Sequence, residues 1–600
     1  MTKITDVMNP MLVQVVGDKV HLGTSIFAKV IKGNALYADK SLLIKEIIED
    51  TSESILITRP RRWGKTLNMS MLQHFFAGNV YGEDTCGLFD NLLISKVDDG
   101  KYMQYQGKNP VIFISFKDVK DNSLEDTVYN IGGLINELYR WHSYIYDSKE
   151  ILDSDKAKYS RYRDDRLNQK EVEASLKFLS ELLYKHYKGN VYILIDEYDT
   201  PLNESSKAEY FPELVTFMKN FLSGGLKDNP YLEKGIMTGI LRISKDSMLS
   251  GLNNLETYTI LDKEYNEHFG FVNDELDLLF KNQGLEKNEE VIKSWYNGYL
   301  SGGLTIYNPW SIMNCLKHRG EIRAYWVHTA SDALLRKALQ NASAESRDKL
   351  QKLILGECVE GIISESVRFD TININPNSLW SILLYTGYLT SSGCQIDENN
   401  NYVCDLLIPN REINGLYKNI LIGWLGDDML SSTRLTHSIL TSLVTGEVKR
   451  FASDISRLLL AVASFRDYAK QPEAFYHGFM LALTASLLDD YYIASNRESG
   501  QGYPDLLFIP KESNRENADA KHPRQSMQPL TRAVILEFKH VKDNEDSKQI
   551  AQAALDQIDI KQYDTMIQQH QYVTEIIKVG LAFDGKLVDY AYAMQGSNLA

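Results

Sequence analysis

Six hundred residues exceed what one hydrophobic core sustains, since single cores stop growing near about 250–300 residues, so about three structural units are expected. With 44% hydrophobic and 24% charged residues, and no low-complexity tract or internal repeat, the composition excludes wholesale disorder. A net charge of −15 excludes a uniformly basic nucleic-acid coat but leaves room for a local basic groove, because attraction depends on the patch and not on the sum.

The opening stretch MTKITDVMNPMLVQVVGDKV lacks the apolar core of a secretion signal. No run approaches the roughly 18 apolar residues of a membrane span. Five cysteines (Cys86, Cys315, Cys358, Cys394, Cys404) are scattered without a CxxC pair, so reduced thiols are expected and a zinc site is not. These features together lead to the expectation of a cytoplasmic protein with no membrane partner.

Along the chain, SILIT (54–58) is a short β-branched run, and LNMSMLQHFF (67–76) spaces its apolar residues as a helix face. VIFISF (111–116), VYILID (191–196) and KGIMTG (234–239) read as buried strands, with helical segments between them such as PELVTFMKNFL (212–222). Such alternation predicts a parallel sheet covered on both faces, an α/β unit over residues 15–250. WYNGYLSGGLTIYNPWSIM (295–313) predicts a hairpin leading into a helix, in a lid or winged-helix-like region over 251–330. Residues 331–465 read as a mainly helical connection. From 466 to 600 the pattern is a buried helix (475–488), the strands YYIAS, DLLFI and AVILEF, a helix (548–563) and the strand EIIKVGLAF. The polar run KESNRENADAKHPRQSMQPLTR reads as an exposed loop between the second and third strands.

RPRRWGKT (59–66) lies between the first strand and its helix, where a phosphate loop must lie for its amides and the helix N-terminus to face an anion. Gly64, Lys65 and Thr66 stand in the required order, but the glycine that opens such loops is replaced by Arg59. Lys65 can meet the β/γ-phosphates and Thr66 can hold Mg²⁺. Asp196, ending a buried strand, suits the same ion, and Glu197 beside it can orient the attacking water. Thr238 is a candidate γ-phosphate sensor and Arg242 a candidate phosphate contact, with purely structural roles as the plainer alternative for each. Arg61 and Arg62 either strengthen the positive field around the phosphates or are simply solvated.

YADKS (37–41), ITRPRRWGKTLNMSML, ILIDEYDTPL, TGILRISKDSMLSGLNNL and WYNGY…YNPWS together resemble the AAA-ATPase-like family found fused to a PD-(D/E)xK nuclease-like domain. The resemblance covers residues 15–320 and 470–590, and in that family RPRRFGKS/T-type loops are usual, so it implies that Arg59 is a family variant of a nucleotide site. It implies a P-loop ATPase sheet and a C-terminal αβββαβ nuclease-like domain, α/β throughout, with ATP and Mg²⁺ as cofactors and Mn²⁺ accepted by the nuclease site.

Nucleases of that class hold Mg²⁺ between two carboxylates on adjacent strands, with a lysine near the attacking water. Here Asp505 opens one strand and Glu537-Phe538-Lys539 ends the next, with Glu537 and Lys539 on one face because side chains alternate. AVILEF is apolar enough to be internal, so a charged pair at its end calls for a reason. Glu473 is a further candidate metal-shell acid or a helix N-terminal charge. Gln557 is assigned an outer role at most, because its spacing to Tyr563 is wider than the glutamine–tyrosine pattern of related nucleases. His477 reads as a core histidine.

The reading is an ATP-hydrolysing unit coupled to a metal-dependent nuclease gated by nucleotide state. DNA is favoured over RNA as partner, and an acidic chain has reason to form a homo-oligomer to build a basic channel. The alternative is a nucleotide-dependent switch whose nuclease-like domain binds nucleic acid or a partner without cleaving.

Overall fold

The computed structural model describes residues 12–206, 208–242, 252–326, 376–398, 401–423, 433–462, 490–495, 501–511, 531–542 and 545–596, with scattered positions between 335 and 367 and between 476 and 499. The chain divides into two compact units, Met1–Ser346 with Cys358–Ile413, and Arg347–Glu357 with Asn414–Ala600.

In the first unit, SILIT forms β1 (Ser54–Thr58) and GKT opens α1 (Lys65–Phe76). Then come β2 (Val111–Ser115), α2 (Leu124–Trp141), α3 (Gln169–Tyr187), β3 (Val191–Asp196), α4 (Phe211–Leu226), β4 (Leu232–Gly239) and β5 (Leu255–Tyr258). The strands make one parallel sheet in the order β2-β3-β4-β1-β5. Ile193 and Ile195 of β3 face the core under α2, α3 and α4, whereas Tyr192 and Leu194 face the core under α1. This two-sided burial explains the unbroken apolar run, and each fully buried leucine or isoleucine contributes about 1.5–3 kcal/mol. In sequence β2 separates the two motif-bearing strands, but in the sheet it is β4 that lies between β1 and β3.

Beyond β5, the aromatic segment forms the expected hairpin, β6 (Tyr299–Ser301) with β7 (Leu304–Ile306), followed by α5 (Pro309–Lys317). Asn308 caps α5 by accepting from the amides of Trp310 and Ser311. The stretch expected to be mainly helical also holds a three-stranded antiparallel sheet, β8 (Val359–Ile363), β9 (Thr390–Ile396) and β10 (Tyr402–Leu407), in the order β8-β10-β9. Cys394 and Cys404 stand opposite each other in register and are joined by a disulfide. This corrects the expectation of five reduced thiols; Cys86, Cys315 and Cys358 are free. No helix among the described residues is long and apolar enough to cross a membrane.

In the second unit, β11 (Tyr491–Ser495), β12 (Leu506–Pro510), β13 (Arg532–His540), α6 (Ser547–Ile560), β14 (Glu575–Asp584) and β15 (Leu587–Gly596) follow the expected order, with β15 as an additional strand. The sheet runs β11-β12-β13-β14-β15, with β13 and β14 parallel and the other pairs antiparallel. One face packs against the helices Thr433–Val444 and Val448–Val462 and against Tyr476, Phe479, Met480, Leu483 and Leu487, whose spacing fits the helix expected over 475–488. The other face carries α6, which lies close because Ala551 and Ala554 are small and position 580 has no side chain. A methyl on Gly580 would come within 2.3 Å of the Ala551 carbonyl oxygen and 2.4 Å of the Leu555 nitrogen. The polar run at 512–530 lies outside the described residues.

Gly580→Ala must therefore displace α6. It is expected to destabilise this unit by about 2–3 kcal/mol, read as a lowered midpoint in chemical denaturation.

Two candidate active sites

The first site is built at the carboxyl ends of β1, β3 and β4, the edge of a parallel sheet where ligands bind. Gly64, the residue before α1, has a φ of 81°, a left-handed conformation that glycine adopts without penalty. Lys65 is buried, and its Nζ donates to the carbonyls of Arg59 and Pro60, both at 2.9 Å. Burial lowers its pKa, while Glu197, Asp196 and Asp199 pull the other way.

Asp196 is fully buried at the end of β3. The Thr66 hydroxyl donates to its Oδ2 at 2.8 Å and the Thr238 hydroxyl to its Oδ1 at 2.6 Å. Ser115, ending β2, donates to Oδ2 at 3.4 Å; it pairs with Asp196 in register, a juxtaposition that sequence reasoning passed over. Glu197 follows with a φ of 53°, a strained backbone for a non-glycine residue and one that turns its side chain out of the strand's alternation. Burial raises its pKa, with Lys65 opposing and Asp196 reinforcing the shift, and Thr200 donates to it at 3.3 Å.

The last acid of the DEYD run has a different task. Asp199 is buried, and its Oδ2 accepts from the amides of Ile240 and Leu241, both at 3.0 Å, and from the Asn203 side chain at 2.9 Å. Tyr198 donates to the Leu241 carbonyl at 2.7 Å. This clamp fixes the turn after β4, and so the approach of Thr238 to Asp196. Arg242 lies just beyond the turn, half-buried, with its carbonyl accepting from Val367. Residues 243–251, the run ISKDSMLSG, lie outside the described residues.

Arg59 does not face the interior of the loop. Its guanidinium is buried behind β1, donating to the carbonyls of Thr58, Tyr258 and Glu264, 5.5 Å from the Phe269 ring. Burial pushes its pKa down to about 10 against the pull of Asp262 and Glu46. Arg62, with a φ of 68°, lays its guanidinium 4.4 Å from the Trp310 ring.

The second site lies where β12 and β13 meet. Leu506 pairs with Leu536, which sets Asp505 against Glu537. Asp505 accepts from the Phe538 amide at 2.7 Å, and its own amide donates to Glu537 at 3.4 Å. Lys539 donates to the Gln557 carbonyl oxygen at 2.7 Å, and the Gln557 amide donates to Glu537 and, at 3.3 Å, to the Tyr563 hydroxyl. Gln557 thus bridges the acid and the lysine from behind, in keeping with the outer role expected of it. The sequence signal for this is the small-residue face of α6 opposite Gly580, which itself pairs with Glu537 across β13 and β14. Glu473 and His477 lie outside the described residues.

Burial raises the Glu537 pKa to about 8, with the Asp505 charge adding to it and Lys539 opposing. The buried Glu537 and half-buried Asp505 carboxylates repel each other, and a divalent cation relieves that repulsion; the donor set fits a hard, oxygen-preferring ion. Thr66 and Asp196 in the first site likewise offer oxygen donors beside a buried lysine, which fits a magnesium-bound nucleoside triphosphate.

Comparisons with known proteins find two domains in the chain. Residues 21–249 match a family described as "Predicted AAA-ATPase", and residues 471–591 match the PD-(D/E)XK nuclease superfamily. Among curated proteins the chain is similar to one from Azotobacter chroococcum mcd 1, described as an uncharacterized protein in the vnfD 5′ region. The two are 26% identical over 411 residues, 67% of this chain and 70% of that protein. The chain joins an AAA-ATPase-like domain to a C-terminal domain of the PD-(D/E)XK nuclease superfamily.

Proposed function

We propose that the protein binds and hydrolyses ATP in its first unit and cleaves nucleic acid, DNA in preference to RNA, in its second, with cleavage gated by nucleotide state. The observation that supports this best is convergence. Thr66 and Thr238, 172 residues apart, both donate to Asp196, and Glu537 and Lys539 both bond Gln557 beside Asp505.

In the first site, Lys65 holds the β/γ-phosphates, Gly64 and Arg62 shape the loop around them, and Thr66 and Asp196 hold Mg²⁺. Glu197, its pKa raised by burial, orients and deprotonates the attacking water, while Thr238 and Arg242 sense the γ-phosphate. In the second, Asp505 and Glu537 hold Mg²⁺ or Mn²⁺, which when bound lowers the pKa of a water and offsets charge on the phosphate. Lys539 orients the nucleophile, and Gln557 holds Lys539 and Glu537 in register. A cytoplasmic setting and homo-oligomerisation belong to the same reading.

Lys65→Ala removes a charge-assisted contact, so affinity for a fluorescent ATP analogue is expected to fall about 10- to 100-fold. Unchanged affinity contradicts the nucleotide site. Adding Mn²⁺ to the full chain is expected to raise the melting temperature of the second unit, and Glu537→Gln to abolish that rise. Lys539→Ala is expected to abolish cleavage of labelled DNA and leave ATP turnover within about twofold, because the two sites use separate residues. Joint loss of both activities in a folded variant contradicts the two-site reading.

A further inference from the structure

Five consecutive residues of the phosphate loop are each held by residues beyond the loop and its helix. Arg59 donates to the carbonyls of Tyr258 and Glu264. Pro60 lies against Gly387, where a methyl would come within 3.1 Å of the proline. The Arg61 carbonyl accepts from the Trp326 indole at 3.2 Å, and Arg62 lies over Trp310. Trp63 is almost wholly buried, its ring edge-on to Tyr299 at 5.1 Å.

These holding residues are themselves tied together. The Tyr299 hydroxyl donates to the Gly387 carbonyl at 3.0 Å, and the Leu300 amide donates to the Thr390 hydroxyl at 2.9 Å, at the first residue of β9. Glu412 accepts from the Ser311 hydroxyl at 2.7 Å and from the Trp326 amide. The aromatic segment WYNGY…YNPWS, which the chemistry of the two sites leaves unused, is thereby placed. Its rings receive the side chains that a glycine-rich phosphate loop lacks.

Resting on the nucleotide reading of RPRRWGKT, we propose that residues 299–326 together with 387–412 read the state of the phosphate loop and carry it to the β8-β10-β9 sheet. Lys65 Nζ holds the carbonyls of Arg59 and Pro60. When Lys65 turns to phosphate, both carbonyls are released and the first two residues of the loop shift. Because residues 59–63 are each held from beyond the loop, the shift cannot stay within the loop, and packed aromatic contacts pass it on as a change of position. The loop is thus a bistable element biased by ligand, and Tyr299 is its main positioning residue toward Gly387 and β9.

Amide hydrogen exchange on the full chain tests this, with and without a non-hydrolysable Mg-ATP analogue. In the native chain, exchange is expected to slow at 59–66 and also at 297–303 and 386–392. Tyr299→Leu is expected to keep the slowing at 59–66 and lose about half or more of it at 386–392, with Tyr299→Phe, which retains the ring against Trp63, falling between. Slowing confined to 59–66 in the native chain, or equal slowing at 386–392 in Tyr299→Leu, overturns the inference while leaving the nucleotide site standing. No slowing at 59–66 refutes the nucleotide reading, and the inference falls with it.

Discussion

Everything in the first unit is organised around one buried carboxylate. Asp196 ends a strand whose six residues are all buried, so its charge has no water to face. A buried charge left unpaired costs several kcal/mol, roughly 3–5 when a partner is removed, and hydroxyls must answer it if no cation does. Thr66, Thr238 and Ser115 supply those hydroxyls from α1, β4 and β2. One side chain therefore pins three elements of the sheet's carboxyl edge in register. Asp199 adds a second pin three residues on, fixing the turn after β4 by two amides. The strain at Glu197 sits between the two, where the surrounding structure can hold it.

The second unit meets the same problem with a different device. Glu537 and Asp505 are forced together by strand register, and Lys539, two residues along the same face, supplies an opposing charge. Gln557 reaches them only because α6 approaches the sheet over Gly580 and the small residues Ala551 and Ala554. Packing at one glycine thus decides whether a polar side chain can organise the acid and the lysine.

The parts of this that a sequence can carry are those with local signatures. Buried parallel strands are unbroken apolar runs, so β1, β2, β3 and β4 were legible, as were the acids and the threonine at their ends. ExK alternation placed Glu537 and Lys539 on one face. Contacts that depend on register or on distant packing were not legible. Ser115 is one serine among many until β2 pairs with β3. The strands TSSGCQI and YVCDLL mix polar and apolar residues because both lie in a small antiparallel sheet, so no clear period marks them. Their disulfide follows from a pairing that spacing alone does not reveal. Arg59 in place of a glycine becomes intelligible only when carbonyls some 200 residues later receive its guanidinium. That Gln557 reaches both Glu537 and Lys539 was hidden for a similar reason, since Gly580 looks in sequence like any strand glycine.

The central claim is that one chain couples a nucleotide site to a nucleic-acid-cleaving site. The most direct measurement is cleavage of labelled single- and double-stranded DNA, with RNA alongside, by the purified full chain with Mn²⁺ or Mg²⁺, in the presence and absence of ATP. The account predicts metal-dependent cleavage whose rate changes with ATP. ATP hydrolysis with no cut in any of these substrates under any condition would contradict it, and would leave a nucleotide switch whose C-terminal domain binds without cleaving.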